Sequence, residues 1–260
     1  MWNDLTRENC DMDGLLKDGE RIDEIGFGNL RLIQKPEDFC YGIDAVLLAT
    51  FAEVGKNAKV IDLGTGTGVI PMILSHRTEA AEIVGVEIQQ ESYERGLRNI
   101  LLNELGDRVR MIRGNVRHLI EEKLAEKHSF DVVVTNPPYI KGGGGLKNKQ
   151  EARTIARHET TAGLADFIGE ASLLLKDRGD FYMVHRPNRL VDISVLCRQH
   201  RLEPKELQFV SPNRDTAPNI LLLHCVKHGR PDLKLLDPLY VYREDGTYTE
   251  EIMRLYERDK

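Results

Sequence analysis

The chain has 260 residues, 41% hydrophobic and 30% charged, which suits one α/β domain with elaborations and an ample core. No apolar run approaches the roughly eighteen residues of a membrane span, and the polar start Trp2-Asn3-Asp4-Leu5-Thr6-Arg7-Glu8 is unlike a signal peptide, so a cytoplasmic location without membrane association is expected. A formal net charge of −6 argues against a generic nucleic-acid binder, and Cys10, Cys40, Cys197 and Cys225 lack metal-type spacing, so free thiols and no metal are expected.

In chain order, the segments 21–25 and 30–34 flank Gly26-Phe27-Gly28-Asn29 and predict a β-hairpin. Asp44 is placed to cap a helix over 45–51, whose free N–H groups would suit an anionic ligand group. The pattern then alternates: strand 59–63, helix 69–76, strand 83–87, helix 91–105, strand 109–113, helix 117–126, strand 130–135. Such alternation predicts a parallel sheet of βαβ units that binds its ligands at the carboxyl ends of the strands. Helix 164–176, strand 179–184 and helix 189–200 follow, and strands near 205–210 and 220–226 are expected to pair antiparallel across 213–218. The expectation is a single domain over 1–260, with an N-terminal extension at 1–36, a core at 37–228 and an appended cover at 229–260.

Chemistry concentrates at the predicted strand ends. Val60-Ile61-Asp62-Leu63-Gly64-Thr65-Gly66-Thr67-Gly68 reads as a buried strand running into a glycine turn ahead of a helix, where backbone can pass close to a ligand. Glu87 closes the next strand nineteen residues beyond Gly68, placed to accept both ribose hydroxyls of a nucleoside. The G-x-G-x-G spacing, with Val69 where a dinucleotide fingerprint needs its third glycine, favours S-adenosylmethionine over NAD. Asp62 would support the turn or meet the cofactor amine. At the end of strand 130–135 stands Asn136-Pro137-Pro138-Tyr139. A planar amino nitrogen is a poor nucleophile because its lone pair is delocalised. The Asn136 side-chain oxygen and the Pro137 carbonyl can accept its two N–H groups, two prolines stiffen their carrier, and the Tyr139 ring offers a stacking face.

With the loop, the acid and the strand end in this order, the chain resembles class I S-adenosylmethionine-dependent methyltransferases of the small methyltransferase group. More narrowly, it resembles bacterial tRNA(Val) adenine-N(6)-methyltransferases, which act just 3′ of the anticodon. The narrower likeness rests on Phe39-Cys40-Tyr41-Gly42-Ile43-Asp44, Ala156-Arg157-His158-Glu159, Val184-His185-Arg186-Pro187 and the tail 242–256. It implies a Rossmann-like, seven-stranded, mostly parallel sheet with one antiparallel strand, and it implies Tyr41 and Asp44 beside the cofactor. It also implies a strand-end acid on the cofactor adenine amino group; here that position is Asn115, which can still accept through its side-chain oxygen. Lys141, Lys147, Lys149 and Arg153 surround Gly142-Gly143-Gly144-Gly145 directly after Tyr139 and are expected to form a basic flap over the substrate entrance, with tRNA as partner. His158 and His185 are read as structural or phosphate-contacting rather than catalytic. Competing readings are a protein glutamine-N(5)-methyltransferase, an RNA guanine-N(2)-methyltransferase and a catalytically silent RNA-binding module.

Overall fold

The computed structural model describes residues 14–38, 41–139 and 162–257. Strands β1 (Arg21–Gly26) and β2 (Leu30–Gln34) form the expected antiparallel hairpin. The main sheet has β3 (Lys59–Leu63) at its centre, flanked by β4 (Glu82–Glu87) and β5 (Val109–Arg113) on one side and by β6 (Phe130–Thr135) and β7 (Leu175–His185) on the other, all parallel. Beyond β7, the antiparallel β9 (Ile220–Lys227) lies between β7 and β8 (Leu202–Ser211). This is the expected seven-stranded arrangement with one reversed strand. Two short strands from the tail, β10 (Lys234–Leu235) and β11 (Leu239–Tyr240), each add in parallel to β8.

The central strands are apolar nearly throughout because both faces are covered. Alternating residues separate cleanly. Val60, Ile83, Val109, Val132 and Val184 pack in one cluster with α1 (Ile43–Phe51), α2 (Val69–Arg77) and the hairpin. Ile61, Val84, Val133, Phe181 and Met183 pack in the other with α4 (Leu164–Leu174) and α5 (Leu190–Gln199). The tail joins the first face, where Ile252 of α6 (Glu250–Leu255) and Tyr256 sit in the cluster that holds Phe27 and Val46.

The hairpin is tied to α3 (Gln90–Leu102) and its end by polar side chains that substitute for a neighbouring strand. Asn99 accepts from Ile33 N at 2.7 Å, and Asn103 accepts from Arg31 N at 2.8 Å while donating to Arg31 O at 2.7 Å. Asn99, fully buried, also donates to Thr67 O at 2.9 Å, so one side chain links the hairpin to the glycine turn. Glu20 accepts from Arg95 at 3.0 Å and from Arg98 at 2.8 Å. Burial alone would raise the Glu20 pKa, but Arg98, the Lys17 backbone N–H and Arg95 hold it down to about 2.

Three expectations change. The segment predicted as helix 117–126 forms only a 3-10 turn at Val116–His118 followed by irregular turns. Lys123 takes a left-handed φ of 56°, and Leu124 folds back so closely that a Cβ on Gly114 would stand 2.7 Å from its Cδ1. Asp44 is not a cap: α1 starts two residues earlier, with Gly42 at the N-cap and no side-chain cap bond. The third change is at β7, which begins directly after α4 and is nearly twice as long as expected.

Candidate active site at the carboxyl edge of the sheet

The ends of β3, β4, β5 and β6 lie side by side, and the sequence-predicted residues fall along that edge. The glycine turn is folded by its own backbone: Gly64 N and Thr65 N both donate to Val86 O, at 3.0 and 2.9 Å. Gly64, Gly66 and Gly68 all have positive φ, at 75°, 60° and 85°, a region costly for side-chain-bearing residues. A Cβ on Gly66 would meet nothing within 4 Å, so the turn faces open space.

Glu87 is 6% exposed and organises this turn. One carboxylate oxygen accepts from Gly66 N at 2.9 Å and the other from Gln89 N at 2.7 Å. Burial raises its pKa, opposed by the backbone N–H groups of Gln89, Gly66 and Ile88. Each oxygen keeps lone-pair capacity for a further donor. Asp62, wholly buried below the turn, has no hydrogen-bond partner for either oxygen among the described residues, and the Thr65 hydroxyl is likewise orphaned. Burial pushes Asp62 up to about 7, opposed by the neighbouring Thr65 hydroxyl, which approaches without completing a hydrogen bond, and reinforced by the Glu87 charge. Open space over Gly66, an acid at the next strand end and orphaned polar atoms beneath together fit a nucleoside cofactor bearing hydroxyls and an amine.

Beside the turn, Thr135 Oγ1 donates to Leu63 O at 2.8 Å, and Thr135 pairs in register with Leu63. Asn136 therefore starts next to Gly64. The Tyr139 hydroxyl lies 2.8 Å from Asp44 Oδ2 and 3.0 Å from Asn136 Oδ1. Burial raises the Tyr139 pKa, with the Asp44 charge and hydrogen bond adding to it, so the phenol is protonated. The Arg186 guanidinium stands over one face of the Tyr139 ring, 4.7 Å from its centroid, and the His185 ring meets it edge-on at 5.0 Å. Burial lowers the His185 pKa to about 4, and its Nδ1 accepts from Arg186 N at 2.8 Å, so the neutral ring carries its proton on Nε2.

Asn115 sits at the end of β5 as expected, but its side chain is engaged locally, accepting from Arg117 N at 3.1 Å to cap the 3-10 turn. Tyr41 N donates to Gln34 Oε1 at 3.1 Å, and the Tyr41 ring packs on the cluster beneath α1. Lys141, Lys147, Lys149, Arg153 and His158 lie outside the described residues. Sequence reasoning gave no role to Thr135, Asn99 or Arg186. Only Arg186 among them lies in a stretch singled out above, Val184-His185-Arg186-Pro187, and its place over Tyr139 joins residues 47 positions apart (186 − 139).

The sheet order and the residues on its carboxyl edge define a methyltransferase, and solved structures share that fold. A predicted O-methyltransferase from Agrobacterium tumefaciens superposes with a TM-score of 0.67 at 24% identity, covering 83% of this chain and 96% of its own. A geranyl diphosphate methyltransferase solved in complex with SAM gives 0.51 at 15% identity, covering 71% of this chain and 84% of its own. The model of the methyltransferase small domain matches residues 30–196, and the chain belongs to that family. Among curated relatives, the tRNA1(Val) (adenine(37)-N6)-methyltransferase of Porphyromonas gingivalis W83 is 30% identical over 226 residues, covering 83% of this chain and 86% of its own length. The protein of the same name from Pasteurella multocida is 32% identical over 220 residues, covering 82% and 86%.

Proposed function

We propose that this chain transfers the methyl group of S-adenosylmethionine to the exocyclic nitrogen of an adenine in tRNA, at the position just 3′ of the anticodon of tRNA(Val). The observation that carries the reading is the Thr135–Leu63 tie, which sets the acceptor Asn136 immediately beside the glycine turn. The backbone of Gly64, Thr65, Gly66 and Gly68 would hold the cofactor, with Glu87 on the ribose hydroxyls and Asn115 on the adenine amine. Asp62 would lie below its amine, and Tyr41 and the start of α1 near its carboxylate. When bound, the cofactor supplies a methyl group on a sulfonium, an electrophile that needs no acid catalyst.

The chain's own task is positioning. Asn136 and the Pro137 carbonyl accept the two hydrogens of the amino group, turning its lone pair toward the methyl, while Pro137 and Pro138 restrict the backbone that carries these acceptors. The Tyr139 ring bounds the base site, with Arg186 already over one of its faces. No general base is required before transfer, because the methylated nitrogen becomes acidic once it carries the additional bond. His185, neutral and hydrogen-bonded to its own chain, supports the Tyr139 ring.

The tRNA and the base come from the names of the relatives and from the basic run after Tyr139. The test is to incubate the enzyme with labelled cofactor and total tRNA, then digest the RNA to nucleosides. N6-methyladenosine is expected; label in methylguanosine, or in glutamine of a protein fraction, overturns the adenine assignment. Replacing Lys147, Lys149 and Arg153 together with alanine should flatten the salt dependence of tRNA binding by roughly two to three units of log–log slope, while cofactor binding is unchanged.

A further inference from the structure

The Tyr139 hydroxyl faces two oxygens, Asp44 Oδ2 at 2.8 Å and Asn136 Oδ1 at 3.0 Å, yet a protonated phenol has one hydrogen to donate. Neither an ionised carboxylate nor an amide oxygen can donate in return. The two contacts are thus not simultaneously satisfied with the Asn136 amide in this orientation, and the second would set two lone-pair-bearing oxygens against each other. The carboxylate is the stronger acceptor and stands closer. A half-turn about χ2 of Asn136 exchanges its amide oxygen and nitrogen without moving any other group. The amide NH2 then donates to the Tyr139 oxygen, and Oδ1 faces the opposite way.

We propose that Asp44 is a positioning residue: by accepting the Tyr139 O–H hydrogen bond, it orients the Asn136 amide with NH2 toward Tyr139 and the oxygen toward the substrate amino group. The chain of donors runs one way, from Asn136 Nδ2–H to Tyr139 Oη and from Tyr139 Oη–H to Asp44. Its direction is set by the carboxylate, which can only accept. An amide turned the other way would offer the substrate amine a second donor instead of an acceptor, and methyl transfer would lose the group that aims the lone pair. This gives the hydroxyl of Tyr139 a task separate from its ring. It also explains why Asp44, inside the first turn of α1, makes no cap bond.

The inference rests on Asn136 as acceptor in amine methylation, and two readouts separate it from that assignment. The first needs no substrate. The side-chain amide resonance of Asn136, assigned by its loss in Asn136→Ala, should shift in both Tyr139→Phe and Asp44→Ala, although Asp44 has no hydrogen bond to Asn136 among the described contacts. An unmoved resonance in Asp44→Ala overturns the relay whatever the substrate proves to be. The second is kinetic, on tRNA. Tyr139→Phe and Asp44→Ala should each lower kcat by about ten- to a hundredfold, with Asp44→Asn between them and wild type because an amide oxygen can still accept the phenolic proton. Cofactor affinity by calorimetry should stay within about threefold in Tyr139→Phe, and the double variant should be no slower than the worse single variant. Multiplicative losses, a loss confined to cofactor affinity in Asp44→Ala, or full activity in Tyr139→Phe would each overturn the proposal. A wild-type enzyme that methylates no tRNA adenine, but whose Asn136 resonance follows Asp44, would sink the substrate reading and leave the relay standing.

Discussion

The two halves of the active edge are built by different means. On the β3–β4 side the ligand-facing surface is mostly backbone: two N–H groups of the turn are held by Val86 O, a third by Glu87, and the positive φ angles of three glycines shape the loop. On the β6–β7 side the surface is made of side chains that hold one another, with Asp44, Asn136 and Tyr139 joined through one hydroxyl and Arg186 and His185 against the Tyr139 ring. The first half is local in sequence and contains orphaned polar atoms at Asp62 and Thr65. The second is assembled from α1, β6 and β7, and each side chain depends on its neighbours. A cofactor common to many substrates suits a backbone cradle; a particular substrate calls for adjustable side chains.

That contrast can be broken most forcefully at Asn136. Asn136→Ala should lower turnover by about 100- to 1,000-fold, the cost of a lost preorganised acceptor, with cofactor affinity nearly intact. Parallel calorimetry and single-turnover kinetics check it, and a comparable loss in cofactor affinity would merge the two halves. Next in size, Glu87→Ala should weaken S-adenosylmethionine binding by about 1–3 kcal/mol, because hydroxyls and the Gly66 N–H lose their acceptor. Equal affinity of mutant and wild type, or preference for NAD, would show that the cradle serves another ligand.

Asp62 sharpens the comparison through pH. Its folded-state pKa is raised to about 7 from an ordinary 3.8, so the folded protein holds the proton longer than the unfolded chain. Its contribution is fully present below pH 3.8 and is lost as pH rises to about 7. His185, lowered to about 4 from 6.5, acts in the opposite sense: its contribution is present above 6.5 and lost as pH falls toward 4. Asp62→Asn removes the first dependence alone. The cofactor-free variant should therefore gain stability relative to wild type as pH rises from 4 to 7, by on the order of a few kcal/mol in denaturant titrations, while binding the cofactor more weakly. A constant difference across that range would mean that Asp62 is not protonated in the fold. The smallest effect is expected at Asn115→Ala, which should weaken cofactor binding by under about 1 kcal/mol, since its oxygen is already shared with Arg117 N–H. No change at all would leave Asn115 as a cap.

Much of the fold was legible because the information was local. Continuous apolar runs such as 83–86, bounded by a glycine turn or a charged strand end, specify buried parallel strands, and the hairpin announced itself through Gly26 to Asn29. Segment 117–126 misled because its apolar residues recur at helical spacing, whereas Leu124 finds a better contact against Gly114, a residue ahead of the segment.

By itself, the sequence determined the order of the strands along the chain, the glycine turn and the acid nineteen residues beyond Gly68, because backbone conformation and strand ends depend on neighbours a few residues away. Only the tertiary structure decided what each polar side chain meets. Asp44 and Tyr139 are 95 positions apart, and Asn99 reaches both the hairpin and the glycine turn. Periodicity in a sequence records which face of an element is buried, but a hydrogen bond is directional and spans about 3 Å. Whether Asp44 caps its helix or accepts from Tyr139 is therefore set by the packing of α1 against the sheet and not by the residues beside it.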